Sequence, residues 1–145
     1  MFRVKTYNGT FKKSESGEPQ EGVFFRLGVR GQDGAKPEDF LMDTGMLDGP
    51  PVAITTELAK KYNLQPTEQV SLTIASDTPT QFPVAKIDLV IEDVTLRQIP
   101  CLIGTPVSMI GYKIFCLMDI QFHRGQVVKI ALNNDAINEM FARDK

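Results

Sequence analysis

Histidine and cysteine are scarce in this sequence, and their scarcity excludes several kinds of active site. The 145 residues contain one histidine, His123, and two cysteines, Cys101 and Cys116. A single histidine gives too few ligands for a zinc site, and we predict neither a metal nor a cofactor. A Ser-His-Asp or Cys-His system would have to use His123, whose Phe-His-Arg-Gly neighbourhood is typical of a surface turn. Two cysteines are not a disulfide framework, and because both lie in apolar runs we predict buried free thiols.

An excess of basic charge and a long apolar run are also missing. The formal net charge is -2, the sequence pI is about 5.4, and the lysines and arginines are scattered. The chain therefore lacks the positive surface that nucleic acid requires. No apolar run approaches the length of a membrane span, and Met1–Lys5 does not begin a signal peptide. We expect a soluble, cytoplasmic protein that binds neither nucleic acid nor membrane.

Alternating apolar residues predict a domain built mainly from strands. Composition is ordinary for a globular protein, with 42% hydrophobic and 23% charged residues, and the length fits one domain over residues 1–145. The strand period of two appears in three segments, Val23–Val29, Val70–Ile74 and Ala85–Ile91, and Val94–Pro100 is predicted as a further strand. Turn residues separate most of these segments.

Helical signals are few. Thr55 or Thr56 can cap a short helix that continues through Tyr62 and stops at Asn63. Asp135–Arg143 has helical spacing, and the segments 115–122 and 127–132 flank a turn and predict a hairpin. Many short strands with one or two short helices indicate a closed or sandwich-like β domain.

The segment Asp43-Thr44-Gly45 is the strongest candidate for chemistry. It directly follows the apolar run Phe40-Leu41-Met42, so its carboxylate would lie at the end of a buried strand. Gly45 permits a tight turn and Thr44 offers a hydroxyl for hydrogen bonding. The tripeptide alone is weak evidence, because an aspartate that simply forms a β-turn would look the same.

The order of motifs along the chain resembles the retropepsin-like aspartic protease family, the single-domain relatives of pepsin. The resemblance extends from about Val23 to Ile130. An apolar strand enters the Asp-Thr-Gly turn, a flap-like hairpin follows, and an apolar-apolar-Gly element and a closing hairpin come later. The matching segments are Asp43-Thr44-Gly45, Ile54–Leu64, Ser76–Pro79, Met109-Ile110-Gly111, and Met118–Phe122 with Gly125.

This resemblance implies a closed, all-β acid-protease barrel with one Asp-Thr-Gly lobe per chain. An active enzyme would then be a homodimer that hydrolyses peptide bonds in a peptide or protein substrate. Two Asp43 carboxylates would share one proton and activate a water, and the Thr44 hydroxyls would tie the two loops together. Asp43, Thr44 and Gly45 are the expected catalytic residues.

Departures from the family pattern leave two other interpretations open. Met46 replaces the usual small residue after Asp-Thr-Gly, and the expected flap tip lacks glycine and an aromatic residue. The chain could instead be an inactive module of the same fold that serves peptide binding or dimerisation, or an unrelated barrel with a chance tripeptide.

Asp48 is expected to be a turn residue and Asp119 a structural carboxylate in a strand. The residues expected to bind substrate are Met46, Asp77, Thr78, Phe82, Ile110 and Gly111.

Overall fold

The secondary structure consists of many short strands and a few helices. A computed structural model describes residues 2–5, 12–13, 19–20, 24–43, 45–46, 49–73, 78–92, 94–123 and 126–143. The helices are α1 (Thr56–Lys61), α2 (Tyr112–Phe115) and α3 (Asn134–Arg143). The strands are β1 (Phe2–Lys5), β2 (Lys12–Lys13), β3 (Pro19–Gln20), β4 (Phe24–Gly31), β5 (Gly34–Met42), β6 (Val52–Ile54), β7 (Glu68–Thr73), β8 (Pro79–Ile91), β9 (Val94–Ile103), β10 (Met109–Ile110), β11 (Met118–His123) and β12 (Gln126–Asn133).

Six of the strands form a closed barrel. Their order is β4-β5-β10-β6-β9-β8, and β8 pairs back onto β4 to close the ring, while β7 extends the sheet beyond β8. Closure requires close approach at one point, since Gly28 pairs with Val90 and a Cβ atom on Gly28 would lie 3.0 Å from the Val90 Cβ. The prediction of a closed β barrel with short helices is confirmed, with α2 as an additional short helix.

Alternation along the strands fills the barrel with apolar side chains. In β8, Ala85, Ile87, Leu89 and Ile91 are buried, as the period of two predicted. In β4, the side chains of Phe25, Leu27 and Val29 are buried in the same way, and they join the same hydrophobic core. Burial of this continuous cluster supplies the main favourable free energy of folding.

Helix α1 begins and ends where the sequence predicts. The Thr55 hydroxyl accepts a hydrogen bond of 3.1 Å from the Leu58 amide, which is an N-cap. Asn63 follows the helix with a positive φ of 51°, a conformation that asparagine tolerates better than most residues. Glu38 of β5 accepts hydrogen bonds from the Lys61 ammonium and the Tyr62 hydroxyl. These contacts tie the helix to the strand that leads to Asp43.

Two predictions about the segment after the barrel are wrong. Phe115 lies in α2, and the strand of the closing hairpin begins only at Met118. As a result Cys116 lies in the turn after the helix and is exposed, whereas Cys101 is buried in β9; both are free thiols. A helix of four residues is too short to show a helical period in the sequence.

The remaining strands lie outside the barrel. β1, β12 and β11 form a three-stranded sheet in that order, and β2 pairs with β3 in a separate two-stranded sheet. The predicted hairpin is formed by β11 and β12, and the predicted terminal helix is α3. Asp119 is exposed in β11. Within the described parts of the chain, no helix is both long and apolar enough to cross a membrane.

Candidate active site

Asp43 lies at the carboxyl end of β5, where the short strand β10 holds the backbone. β10 runs parallel to β5, with Met109 opposite Leu41 and Ile110 opposite Met42. The Leu41 amide donates to the Ser108 carbonyl at 2.8 Å, and the Asp43 amide donates to the Ile110 carbonyl at 3.0 Å. The barrel wall therefore fixes the main chain of Asp43 itself, and the turn begins directly after it.

The turn that starts at Asp43 is closed by two hydrogen bonds. The Met46 amide donates to the Asp43 carbonyl at 3.2 Å, and the Gly45 amide donates to the carboxylate Oδ1 at 3.0 Å. The second contact sets the direction of the half-buried Asp43 side chain, because one of its oxygens is held by its own loop. Thr44, the third expected catalytic residue, lies outside the described residues.

Gly111 supports this turn from behind. A Cβ atom at position 111 would lie 2.6 Å from the Met46 carbonyl oxygen, a distance that no real side chain occupies. The Gly111 amide donates to the Pro51 carbonyl at 2.8 Å, and the Tyr112 amide donates to the Met46 carbonyl at 3.0 Å. The junction of β10 and α2 thus touches the Asp43 turn at its last residue, and only glycine fits there.

Ser108 is a residue of the site that the sequence did not reveal. Its side chain is buried, and its Oγ accepts a hydrogen bond of 3.3 Å from the Thr55 amide. Its carbonyl accepts from Leu41, so one residue connects β5 to the start of α1. The only signal in the sequence is a serine between Val107 and Met109, which is a pattern too common to single it out.

The expected substrate-binding residues fall into two groups. Met46 and Gly111 lie at the Asp43 turn, and Ile110 lies beneath it with its side chain fully buried. Phe82 and Thr78 lie on the hairpin of β7 and β8, where Phe82 is half-buried and Thr78 is exposed. A Cβ on Gly104 would be 3.8 Å from the Phe82 ring, so Phe82 packs toward that loop.

The hairpin that the sequence predicts as a flap is formed by β7 and β8. Its arms pair antiparallel as far as Thr73 opposite Pro79. The residues at its tip, including Asp77, lie outside the described residues, as does Asp48 after the Asp43 turn. A Cβ on Gly49 would lie 3.6 Å from Leu72 Cδ2, so the β7 arm lies against the segment that follows the turn.

Metal-binding clusters do not occur in the described portion of the chain. No group of three or more His, Cys, Asp or Glu side chains is arranged there so that it could hold a metal ion. The chemistry available at the turn is that of the Asp43 carboxylate and its surrounding amides.

Comparison with known proteins supports the fold. No protein-family model and no curated protein matches the chain. Among solved structures it is similar to a retropepsin-like aspartic protease from Rickettsia conorii, with a TM-score of 0.55 and 14% sequence identity. The alignment covers 91% of this chain and 95% of that one. The chain has a retropepsin-like fold. At so low an identity the similarity concerns architecture alone, and it agrees with the fold that the order of motifs predicts.

Proposed function

We propose that this protein is an aspartic endopeptidase that works as a homodimer. The observation that carries the proposal is the placement of Asp43, at the end of a barrel strand and in a turn braced by Ile110, Gly111 and its own amides, within a retropepsin-like fold. A carboxylate held in a rigid turn next to a buried barrel is suited to general acid–base chemistry, because its orientation is set before substrate arrives.

The second carboxylate would come from a second copy of the chain. The sequence holds one Asp-Thr-Gly, and water activation of this kind needs two facing carboxylates. Two Asp43 groups about 3 Å apart cannot both ionise, so they would share one proton and titrate as a pair. Thr44 and Gly45 would contribute the contacts between the two loops.

The reaction would proceed through a water held between the two carboxylates. The ionised Asp43 takes a proton from the water while its oxygen attacks the peptide carbonyl carbon, and the protonated Asp43 gives its proton to the carbonyl oxygen. The tetrahedral gem-diol collapses when the C–N bond breaks: the nitrogen receives the proton that the first Asp43 took from the water, and one diol hydroxyl gives its proton to the other Asp43, which restores the starting pair. No covalent bond to the enzyme forms.

The test is a comparison of two aspartate variants in a peptide-cleavage assay. Asp43→Asn removes the carboxylate that accepts the water proton in this mechanism. We expect the cleavage rate of a peptide library, followed by mass spectrometry, to fall by about 10²–10⁴-fold. Asp119→Asn is the matched control, because Asp119 is an exposed carboxylate on β11. Pepstatin should inhibit the parent protein.

Two results would count against the enzyme. Equal cleavage by the parent and the Asp43→Asn protein would assign the activity to a contaminant. No cleavage by a well-folded dimer that still binds peptides would favour the inactive, peptide-binding module instead, for which Met46 after the Asp-Thr-Gly turn is the main structural argument.

A further inference from the structure

A groove of about 780 Å³ lies next to the Asp43 turn and outside the barrel. That volume falls in the range of about 300–1,000 Å³ usual for ligand sites. Five parts of the chain form its walls: the segment after the turn, the β7 arm of the hairpin, Pro100 of β9, helix α2 with the following turn, and helix α3. Its lining residues include Pro51, Glu68, Val70, Tyr112, Leu117 and Glu139.

The groove has an apolar lining and one exposed aromatic ring. Pro51 and Leu117 are buried beneath it, and Val70 is half-buried at its side. Tyr112 is 51% exposed, and it is the one large hydrophobic side chain exposed to this degree among the described residues. A hydrogen bond with Cys116 raises the pKa of the Tyr112 hydroxyl.

The charges around the groove are mainly negative. Glu68 on β7 and Glu139 on α3 are exposed carboxylates that line it. The single cation in the lining, Lys113, directs its ammonium to the Gly49 carbonyl at 3.2 Å. A positively charged ligand group in the groove would therefore meet the Glu68 carboxylate and lie near the Tyr112 ring, and an aromatic ring attracts cations.

The β7 arm favours an extended peptide as the ligand. Among the described residues β7 pairs with β8 on one edge and with no strand on the other. An extended chain can pair with such an edge and place alternate side chains into neighbouring pockets. Glu68 and Val70, which are two residues apart on this strand, both line the groove.

We propose that the groove is a binding subsite for a lysine or arginine side chain of an extended peptide. The aliphatic part of that side chain would pack on the apolar lining, and its charged end would lie over Tyr112 and near Glu68. The Tyr112 amide is bonded to the Met46 carbonyl, so a peptide held here lies beside the turn that carries Asp43. That this peptide is a substrate rests on the proposed function, whereas its binding does not.

The experiment measures peptide binding without cleavage. Fluorescence anisotropy on the Asp43→Asn protein would use three fluorescein-labelled octapeptides of alanine, valine and leucine, identical except for a central arginine, citrulline or glutamate. We expect the arginine peptide to bind about fivefold more tightly than the citrulline peptide, since an exposed ion pair is worth about that factor. The glutamate peptide should bind more weakly than either.

Variants of the groove separate a local site from the effect of net charge. Glu68→Lys should abolish the preference for arginine, whereas Asp33→Lys, the same charge change in the exposed turn between β4 and β5, should preserve it. Tyr112→Ala should weaken binding of the arginine peptide by about fivefold through loss of the ring, and Tyr112→Phe should keep it.

Three results would contradict the proposed subsite. The first is equal affinity for the arginine and citrulline peptides, the second is no binding of any peptide, and the third is an equal effect of Glu68→Lys and Asp33→Lys. The result is distinguishable from a failure of the proposed function: a Glu68-dependent preference in a protein that cleaves nothing would keep the subsite and reject the enzyme.

Discussion

At the scale of single residues, the two cysteines occupy opposite environments although both lie in apolar sequence. Cys101 is buried in β9, and burial raises the pKa of its thiol to about 12. Cys116 follows a four-residue helix and is exposed beside the groove. Because the thiolate is the reactive form, burial and the raised pKa both protect Cys101, whereas Cys116 is accessible to a reagent.

This difference predicts the reactivity of the protein toward a thiol reagent. At pH 8, a pKa of about 12 leaves a thiolate fraction of about 10⁻⁴ at Cys101, which rises only as the pH approaches 12. With Ellman's reagent we expect one thiol to react rapidly in the folded protein and both to react after unfolding. The rapid phase should vanish in Cys116→Ser and persist in Cys101→Ser; fast labelling of folded Cys116→Ser at pH 8 would contradict the burial of Cys101.

Residues of the candidate site differ in how well the sequence predicts them. Asp43 stands out because Asp-Thr-Gly follows an apolar run, and Gly111 stands out because Met109-Ile110-Gly111 resembles an element of the retropepsin-like family. Ser108 and Tyr112 act through contacts that only the folded chain creates: a buried hydroxyl on the Thr55 amide, and a ring at the wall of a groove. Nothing in the neighbouring sequence of either residue indicates such a role.

At the scale of elements, the contact between β10 and the Asp43 turn decides the geometry of the site. β10 has two residues, and it pairs parallel with β5 and antiparallel with β6. Its last contact is the approach of Gly111 to the Met46 carbonyl. A backbone oxygen cannot move aside as the end of a flexible side chain can, so any side chain at position 111 must displace the turn.

Substitution of this glycine tests the contact. We expect Gly111→Ala to lower the free energy of unfolding by about 1–3 kcal/mol, the usual cost of forcing an extra carbon into a packed site. Gly45→Ala is the matched comparison, because its new Cβ would lie 3.4 Å from the Asp43 Oδ1, an ordinary contact. Urea unfolding followed by circular dichroism measures both. Equal stability of the two variants would mean that Gly111 does not support the turn.

Strand prediction succeeded where one face of a strand is buried and failed where both faces are polar or the element is very short. β8 and β4 show a clear period of two because alternate side chains enter the core. The first half of β5, from Gly34 to Pro37, is exposed and has no such period; it becomes a strand because it pairs with β4 across a tight turn. β10 and α2 are set by their neighbours in space, which the local sequence does not encode.

At the scale of the whole molecule, the barrel with its single aspartate turn would supply half of the proposed two-carboxylate site. The barrel closes on itself through β4 and β8, so its core does not depend on a second copy. The proposed chemistry does depend on one, since the sequence supplies a single Asp-Thr-Gly. Folding and activity should therefore respond differently to protein concentration.

Dilution of the protein separates the concentration dependence of folding from that of activity. When the protein is diluted below its dimer dissociation constant, tenfold dilution should lower the cleavage rate by about 100-fold, because the active species forms from two chains. The circular dichroism per residue should stay unchanged, and sedimentation velocity on the same samples should report the loss of dimer. A cleavage rate proportional to protein concentration in a range where the chain sediments as a monomer would reject the shared site.

The bond from the Asp43 amide to the Ile110 carbonyl also sets an order of events during synthesis. Asp43 is added to the growing chain long before Ser108–Gly111, and at about 5–20 residues per second the interval amounts to several seconds. During that interval the residues of the Asp43 turn have been synthesised, but β10, the strand that braces the turn, has not. An incomplete chain therefore carries the Asp-Thr-Gly motif without a braced turn. The chain leaves the ribosome only after β10 and Gly111, which brace the turn, have been synthesised.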